Sequence, residues 1–185
     1  MSKREQLVLY RSVFDEITSR RRLSKRAWRG DLRDRRVFLD WYNVFITVYS
    51  AIDGDLVVVG DDAILRDVRG FGGRGKVEKE RKDVSESLIF ETLSSLSPSE
   101  VLVILDSSVS HSGLLAKELR SKMRGEGIDG KAYALRSPDN FLIAQKDGIV
   151  CSSDSVVIDS TSCKILDLPF LALSSAEKEF EVRHF

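Results

Sequence analysis

The chain has 185 residues, of which 42% are hydrophobic and 31% charged, and its formal net charge is zero. These values are typical of a soluble globular domain with enough residues to form a core. No apolar run approaches the roughly 18 residues of a membrane span, and the first residues lack the apolar part of a signal peptide. We therefore expect a cytoplasmic protein without a membrane partner. Cys151 and Cys163 lie outside any metal-binding spacing, which favours reduced thiols and argues against zinc.

Positive charge is concentrated near the N-terminus. Residues 20–36 contain nine Arg or Lys against two Asp, a net +7 in 17 residues. Arginine suits phosphate, and Trp28 lies among these charges. Two interpretations stay open. In the first, Arg21, Arg22 and Arg26 bind nucleic acid; in the second, the segment is a solvated helix face.

The predicted elements alternate between helices and buried strands. In chain order, the hydrophobic pattern predicts a helix at 7–27, a strand at 37–40, a helix from 42 to 51, a strand at 56–60, a glycine-rich loop at 70–75, a helix at 84–96, a strand at 101–105, a helix at 114–123, a strand at 131–135, a short helix within 137–145 and a strand at 148–151. This alternation predicts an α/β fold with a mainly parallel central sheet in three α/β/α layers. We expect a basic N-terminal helical segment at 1–36, the α/β domain at 37–175 and a charged tail at 176–185.

Carboxylates follow four of the predicted strands. They are Asp40, the pair Asp61 and Asp62, Asp106, and Asp154. Because the carboxyl ends of parallel strands share one edge of a sheet, these side chains are expected to lie together and to repel one another. Mg²⁺ or Mn²⁺ would relieve that repulsion, and such a site supports hydrolysis of a phosphodiester. Taken singly, each Asp also suits a turn or a helix cap.

Two further groups are candidates for this edge. Asn43 lies about one helical turn after Asp40, close enough to share its site. Ser110 and Ser112 precede a predicted helix, whose N-terminal amide groups suit a phosphate, although either hydroxyl can simply cap the helix. A Ser-His-Asp hydrolase site around His111 lacks the required sequence context.

The ordered motifs "LDWYNVFIT", "GDDAILRD", "LDSSVSHSG", "SPDN" and "SSDS" resemble a mainly archaeal family, domain of unknown function four hundred and thirty-four. Part of that family is similar to PIN and NYN nuclease domains. The resemblance implies a PIN-like α/β/α fold that holds Mg²⁺ or Mn²⁺ on strand-end carboxylates, cleaves RNA and often forms homodimers. Its residues carry over as metal ligands Asp40, Asp106 and Asp154, further ligands Asp62 and Asp139, the companion Asn43 and the substrate-binding Arg66. Trp41 and Ala63 stand where the family usually has glycine.

The leading hypothesis is therefore a metal-dependent ribonuclease. Its catalytic residues would be Asp40, Asn43, Asp106 and Asp154, with phosphate bound by Ser110 and Ser112. Two alternatives remain: a non-catalytic module that binds RNA or protein, and a phosphohydrolase acting on a small phosphate ester.

Overall fold

A computed structural model describes residues 3–68, 77–176, 180 and 182–184. The glycine-rich loop predicted at 70–75 lies outside these residues. Within the described part of the chain, no helix combines the length and apolar character needed to cross a bilayer.

The described chain contains the predicted helices and strands with small shifts outside the N-terminal region, together with two helices after residue 154 and three short strands that were not predicted. The helices are α1 (Lys3–Ser12), α2 (Glu16–Ser24), α3 (Trp41–Ile52), α4 (Lys79–Leu96), α5 (Ser112–Gly125), α6 (Pro138–Ile143), α7 (Ser155–Ser160) and α8 (Leu168–Ser175), and a 3₁₀ turn spans Arg29–Asp31. The strands are β1 (Arg36–Asp40), β2 (Val57–Val59), β3 (Leu65–Asp67), β4 (Glu100–Asp106), β5 (Gly130–Leu135), β6 (Ile149–Cys151), β7 (Lys164–Ile165) and β8 (Val182–His184).

The N-terminal region contains two helices instead of the single helix predicted at 7–27. The break occurs at Asp15, whose extended backbone and side chain cap α2 by accepting a hydrogen bond from the Thr18 amide. The preceding Phe14 amide donates to the Asp61 carboxylate at 3.0 Å. A helix cap and a tertiary hydrogen bond thus interrupt a continuous apolar pattern.

Five parallel strands form the central sheet in the order β5-β4-β1-β6-β7. From β1 the chain first builds the sheet in one direction, through β4 and β5, and then returns to the other side of β1 with β6 and β7. The direction of winding therefore changes between β1 and β6. In open parallel sheets, ligands bind at such a switch point, outside the carboxyl ends of the strands.

Helices cover both faces of this sheet. Val37 and Leu39 of β1 pack on one side with apolar residues of α3, α4, α5 and α8, whereas Phe38 packs on the other side with residues of α6 and α7. This two-residue alternation is what a strand buried on both faces requires. The three-layer α/β fold with a parallel central sheet is confirmed.

A second sheet has the order β3-β2-β8. Its central strand β2 pairs antiparallel with β3 and parallel with β8. The strand predicted at 56–60 therefore exists, but it does not belong to the central sheet. The expectation that Asp61 and Asp62 lie at the edge shared with Asp40 is wrong, because both residues form the turn between β2 and β3.

The two cysteines are free thiols, as predicted. Cys151 lies in β6 and Cys163 just before β7, and both are buried among apolar side chains.

Candidate active site

A pocket of about 440 Å³ opens at the carboxyl ends of the central strands. Its wall includes four carboxylates from separate elements: Asp40 at the end of β1, Asp106 at the end of β4, Asp139 in the first turn of α6, and Asp154 after β6. Asn43 of α3 also lines it. The structure thus brings together all the predicted ligands except Asp62. The pocket lies at the switch point between β1 and β6.

Asp40 is the most deeply buried of these carboxylates, with 6% of its surface exposed. Its Oδ2 atom accepts hydrogen bonds from Asn43 Nδ2 at 2.7 Å and from Ser152 Oγ at 2.6 Å. Burial raises the pKa of Asp40 to about 6, although the two hydrogen bonds oppose this shift; repulsion from Asp139 and Asp154 adds to it. Ser152 and Asn43 therefore hold one oxygen of a carboxylate whose charge is poorly compensated.

Asp154 and Asp106 are each oriented by backbone amide groups. Asp154 caps α7, because its Oδ1 accepts from the amides of Val156 and Val157 at 2.7 and 3.1 Å. Asp106 Oδ1 accepts from the Ser108 amide at 2.8 Å. A strand-end aspartate can therefore cap a helix or turn and still belong to the site, because one carboxylate oxygen accepts the backbone hydrogen bonds while the residue lines the pocket.

The pocket has an excess of negative charge. Within the described chain, none of the four carboxylates forms an ion pair. The basic side chain on the described pocket wall is Arg11, which pairs with Asp67 at 3.0 Å. Burial raises the pKa of Asp139, and repulsion from Asp154 and Asp106 raises it further. Uncompensated charge of this kind favours binding of a cation.

An all-oxygen donor set suits Mg²⁺ or Mn²⁺. Among the described residues, however, no three or more His, Cys, Asp and Glu side chains are arranged to hold a metal ion together. This arrangement fits binding through one or two carboxylates, with water and substrate phosphate completing the coordination, as is common for Mg²⁺.

Trp41 does not reach into the pocket. It is 1% exposed, and its indole stacks between Phe45 and Phe90, with ring centroids 5.4 and 5.8 Å away. The first residue of α3 thus directs its side chain into the core, whereas Asn43, two residues later, lies on the pocket wall. Trp41 thus adds core packing and leaves the pocket open.

Asp62 lies in a buried ion cluster outside the pocket wall. Both of its oxygens accept hydrogen bonds from Arg66, at 2.7 and 2.8 Å, and Oδ2 also accepts from Arg22 at 2.8 Å. Burial by itself would raise the pKa of Asp62, but the two guanidinium groups outweigh it and lower the pKa. Asp62 is therefore fully engaged, and Arg22 and Arg66 serve this cluster instead of an exposed phosphate site.

The other predicted substrate contacts also have internal partners or lie elsewhere. Arg21 pairs with Asp159 at 2.9 Å, and Arg26 lies over the Trp28 ring at 5.1 Å. Neither Ser110 nor Ser112 is among the described residues that line the pocket. Five of the nine basic residues at 20–36 form ion pairs, namely Arg20, Arg21, Arg22, Arg35 and Arg36. The charge excess in the sequence thus overstates the free positive charge of the fold, most clearly at the buried Arg22.

Two contributions to the pocket escaped the sequence analysis. Ser152 follows β6 within the motif "SSDS", whose serines signalled a polar loop but not a bond to Asp40. Tyr10 and Arg11 of α1 form part of the wall, and no local sequence pattern predicts that α1 lies at the pocket.

Fold and site together define an α/β domain with an acidic pocket at the switch point of a parallel sheet. The family model of a domain of unknown function (DUF5616) matches residues 29–170, and the chain belongs to this family. Membership of a family of unknown function is thus confirmed, whereas the family number suggested by the motifs is not. An uncharacterized protein of Methanocaldococcus jannaschii is 31% identical over 182 residues, covering 97% of this chain and 85% of that protein. No solved structure matches the chain.

Proposed function

We propose that this protein is a metal-dependent phosphodiesterase, and specifically a PIN-like ribonuclease. The observation that carries the proposal is the convergence of four carboxylates on one pocket at the switch point, with no ion-pair partner among the described residues. Such a pocket repels a phosphate unless a divalent cation accompanies it. Hydrolysis of a phosphate ester uses a cation and a phosphate together, and RNA is the phosphodiester proposed here as the substrate.

Each side chain has a defined task in this proposal. One or two of Asp40, Asp106 and Asp154 would supply oxygen ligands, and Asn43 and Ser152 keep the Asp40 carboxylate in position through the bonds to Oδ2. Bound Mg²⁺ or Mn²⁺ would neutralise the phosphate and lower the pKa of a water molecule. Asp139, whose pKa is raised by burial and by repulsion from Asp154 and Asp106, would serve as the general base.

The test compares Asp106→Asn with Asp83→Asn. Asp106 lines the pocket without an ion-pair partner, whereas the Asp83 side chain is 53% exposed on α4. We expect the wild type and Asp83→Asn to bind Mn²⁺ in calorimetric titrations and to cleave single-stranded RNA. Asp106→Asn should weaken both by at least about tenfold, which is the loss typical even of residues that only orient a metal ligand.

Unchanged metal-dependent cleavage by Asp106→Asn would refute the proposed mechanism. RNA binding that needs no metal and produces no cleavage would instead identify a non-catalytic binding module. Asparagine keeps the shape of aspartate, so the variant should retain the fold. Thermal melting of the variant checks this.

A second candidate is hydrolysis of a small phosphate ester in the same pocket. It is favoured by the internal pairing of the basic segment, in which Lys25 also donates to the carbonyl groups of Ile158, Asp159 and Thr161. A long RNA would gain affinity from free positive charge and lose it steeply with added salt. Rates for an RNA oligomer and for a nucleotide phosphomonoester, compared at two salt concentrations, separate the two substrates.

A further inference from the structure

A second pocket, of about 380 Å³, lies beside the acidic pocket. The two pockets share Tyr10 and Arg11 of α1 and Asp154 before α7. The two pockets are therefore adjacent, and these three residues border both.

The second pocket differs in character from the first. Val13 and Val156 contribute apolar surface that is 49% and 61% exposed, and Phe14 adds an aromatic ring. The guanidinium groups of Arg22 and Arg66 lie over the Phe14 ring, 4.1 and 5.0 Å from its centroid. Both arginines are bound to Asp62, so they stiffen this wall without offering a free charge to an anion.

Ser153 gives this pocket an unused hydrogen-bonding group. It is 3% exposed and lines the second pocket, and its hydroxyl oxygen has no hydrogen-bond partner among the described residues. Its carbonyl oxygen accepts from Arg66 Nε at 3.1 Å, which holds the residue in place. A buried hydroxyl without a partner is unfavourable, and a polar ligand atom would remove that penalty.

Tyr10 lies where the two pockets meet, and 82% of its surface is exposed. An aromatic side chain this exposed next to a polar site gains little from the fold itself. Aromatic side chains at such positions bind planar rings by stacking, which every nucleobase offers on its faces.

We propose that the second pocket binds the base of a nucleotide whose phosphodiester occupies the acidic pocket, with Tyr10 stacking on the base and Ser153 hydrogen-bonding to it. The assignment rests on the proposed function only for the position of the phosphodiester. A planar, largely apolar ligand with polar edge atoms matches the apolar wall, the exposed Tyr10 ring and the Ser153 hydroxyl, which has no partner among the described residues. A free anion does not match, because the arginines are paired and the Asp154 carboxylate is close by.

The test uses nucleosides, which bind without a phosphate and without a metal. Adenosine, uridine and ribose are titrated into the isotope-labelled protein in EDTA, and amide chemical shifts report the dissociation constants. We expect both nucleosides to bind and ribose not to bind. Tyr10→Ala should weaken nucleoside binding about 5- to 100-fold, as expected for a lost stacking contact. Tyr10→Phe should retain it.

Two controls make the result specific. Ile17 is as exposed as Tyr10, at 82%, and does not line the described wall of either pocket, so Ile17→Ala should leave binding unchanged. Ser153→Ala should weaken nucleoside binding while its melting temperature stays equal or rises, because the hydroxyl has no partner to lose.

Equal affinities for ribose and nucleosides would overturn the assignment, and so would equal effects of Tyr10→Ala and Ile17→Ala. The nucleoside experiment does not depend on hydrolysis. If nucleosides bind as expected while Asp106→Asn leaves RNA cleavage unchanged, the base site stands and the proposed function fails.

Discussion

Replacing Asp40 by asparagine should stabilise the protein at neutral and alkaline pH. Asp40 is 6% exposed, and its pKa is raised from 3.8 to about 6, chiefly by burial. The pKa of Asp40 is higher in the folded than in the unfolded state. The contribution of Asp40 to the free energy of unfolding is therefore fully present below pH ~4, and it is lost as the pH rises through about 6. Asparagine carries no charge, and its carbonyl oxygen can still accept from Asn43 and Ser152.

The shift sets the size of the effect. A change of about 2 pKa units corresponds to about 3 kcal/mol, since each unit is 1.36 kcal/mol. We therefore expect the free energy of unfolding of Asp40→Asn to exceed that of the wild type by up to about 3 kcal/mol at pH ~8 and by little at pH ~4. For a chain of this length, 3 kcal/mol corresponds to roughly 6–12 °C in melting temperature.

Urea unfolding followed by circular dichroism at several pH values, with EDTA present, measures this difference. Asp83→Asn serves as the control, because the half-exposed Asp83 side chain lies on α4, away from the described wall of the acidic pocket. A constant difference between Asp40→Asn and the wild type from pH ~4 to ~8 would refute the argument that burial penalises the charged carboxylate. If a cation binds here, added Mn²⁺ should stabilise the wild type at pH ~8 and stabilise Asp40→Asn far less.

Two further variants test other parts of the structure. Asp62→Asn removes the carboxylate that pairs with both buried arginines, Arg22 and Arg66, and should lower the free energy of unfolding by about 3–5 kcal/mol, measured in urea. A loss below about 1 kcal/mol would show that the cluster is solvated. Ala63→Gly should raise the melting temperature slightly, by the equivalent of about 0.5–1 kcal/mol, because Ala63 has a φ of +54° that glycine adopts without strain. Ala116→Gly, within α5, is its control and should destabilise.

The strand-end carboxylates were predictable because their signal is local. An apolar run followed by aspartate marks the ends of β1 and β4, and a similar pattern precedes Asp154. Once the strands are parallel neighbours, their ends must meet at one edge. Sequence reasoning therefore placed Asp40, Asp106 and Asp154 together without any knowledge of side-chain positions.

The same reasoning failed for Asp62, although its local sequence looks alike. The run "VVVGDD" has the pattern of a buried parallel strand, yet β2 turns back on β3 and pairs with β8, more than 120 residues further along the chain. The sheet to which a strand belongs depends on partners that lie far away in the sequence. The residues next to Asp62 therefore do not show which sheet β2 joins.

The N-terminal segment also combines features that are visible in the sequence with contacts that are not. Its charge and apolar spacing were visible in the sequence, but its ion pairs with Asp62 and Asp159 join residues 40 and 137 positions apart. The free energy of a charge depends on its nearest partners, and these are set by packing. At Arg22, a basic stretch that suggested an open phosphate surface therefore forms an internal ion cluster.

By itself the sequence determined the parallel α/β architecture and three carboxylates of the pocket, since periodicity and strand-end residues are local properties. Only the tertiary structure decided that Trp41 packs in the core, that Asp62 forms ion pairs with two arginines, and that Tyr10 borders two adjacent pockets. The physical reason is that side-chain direction, burial and charge pairing arise from contacts between elements far apart in the chain.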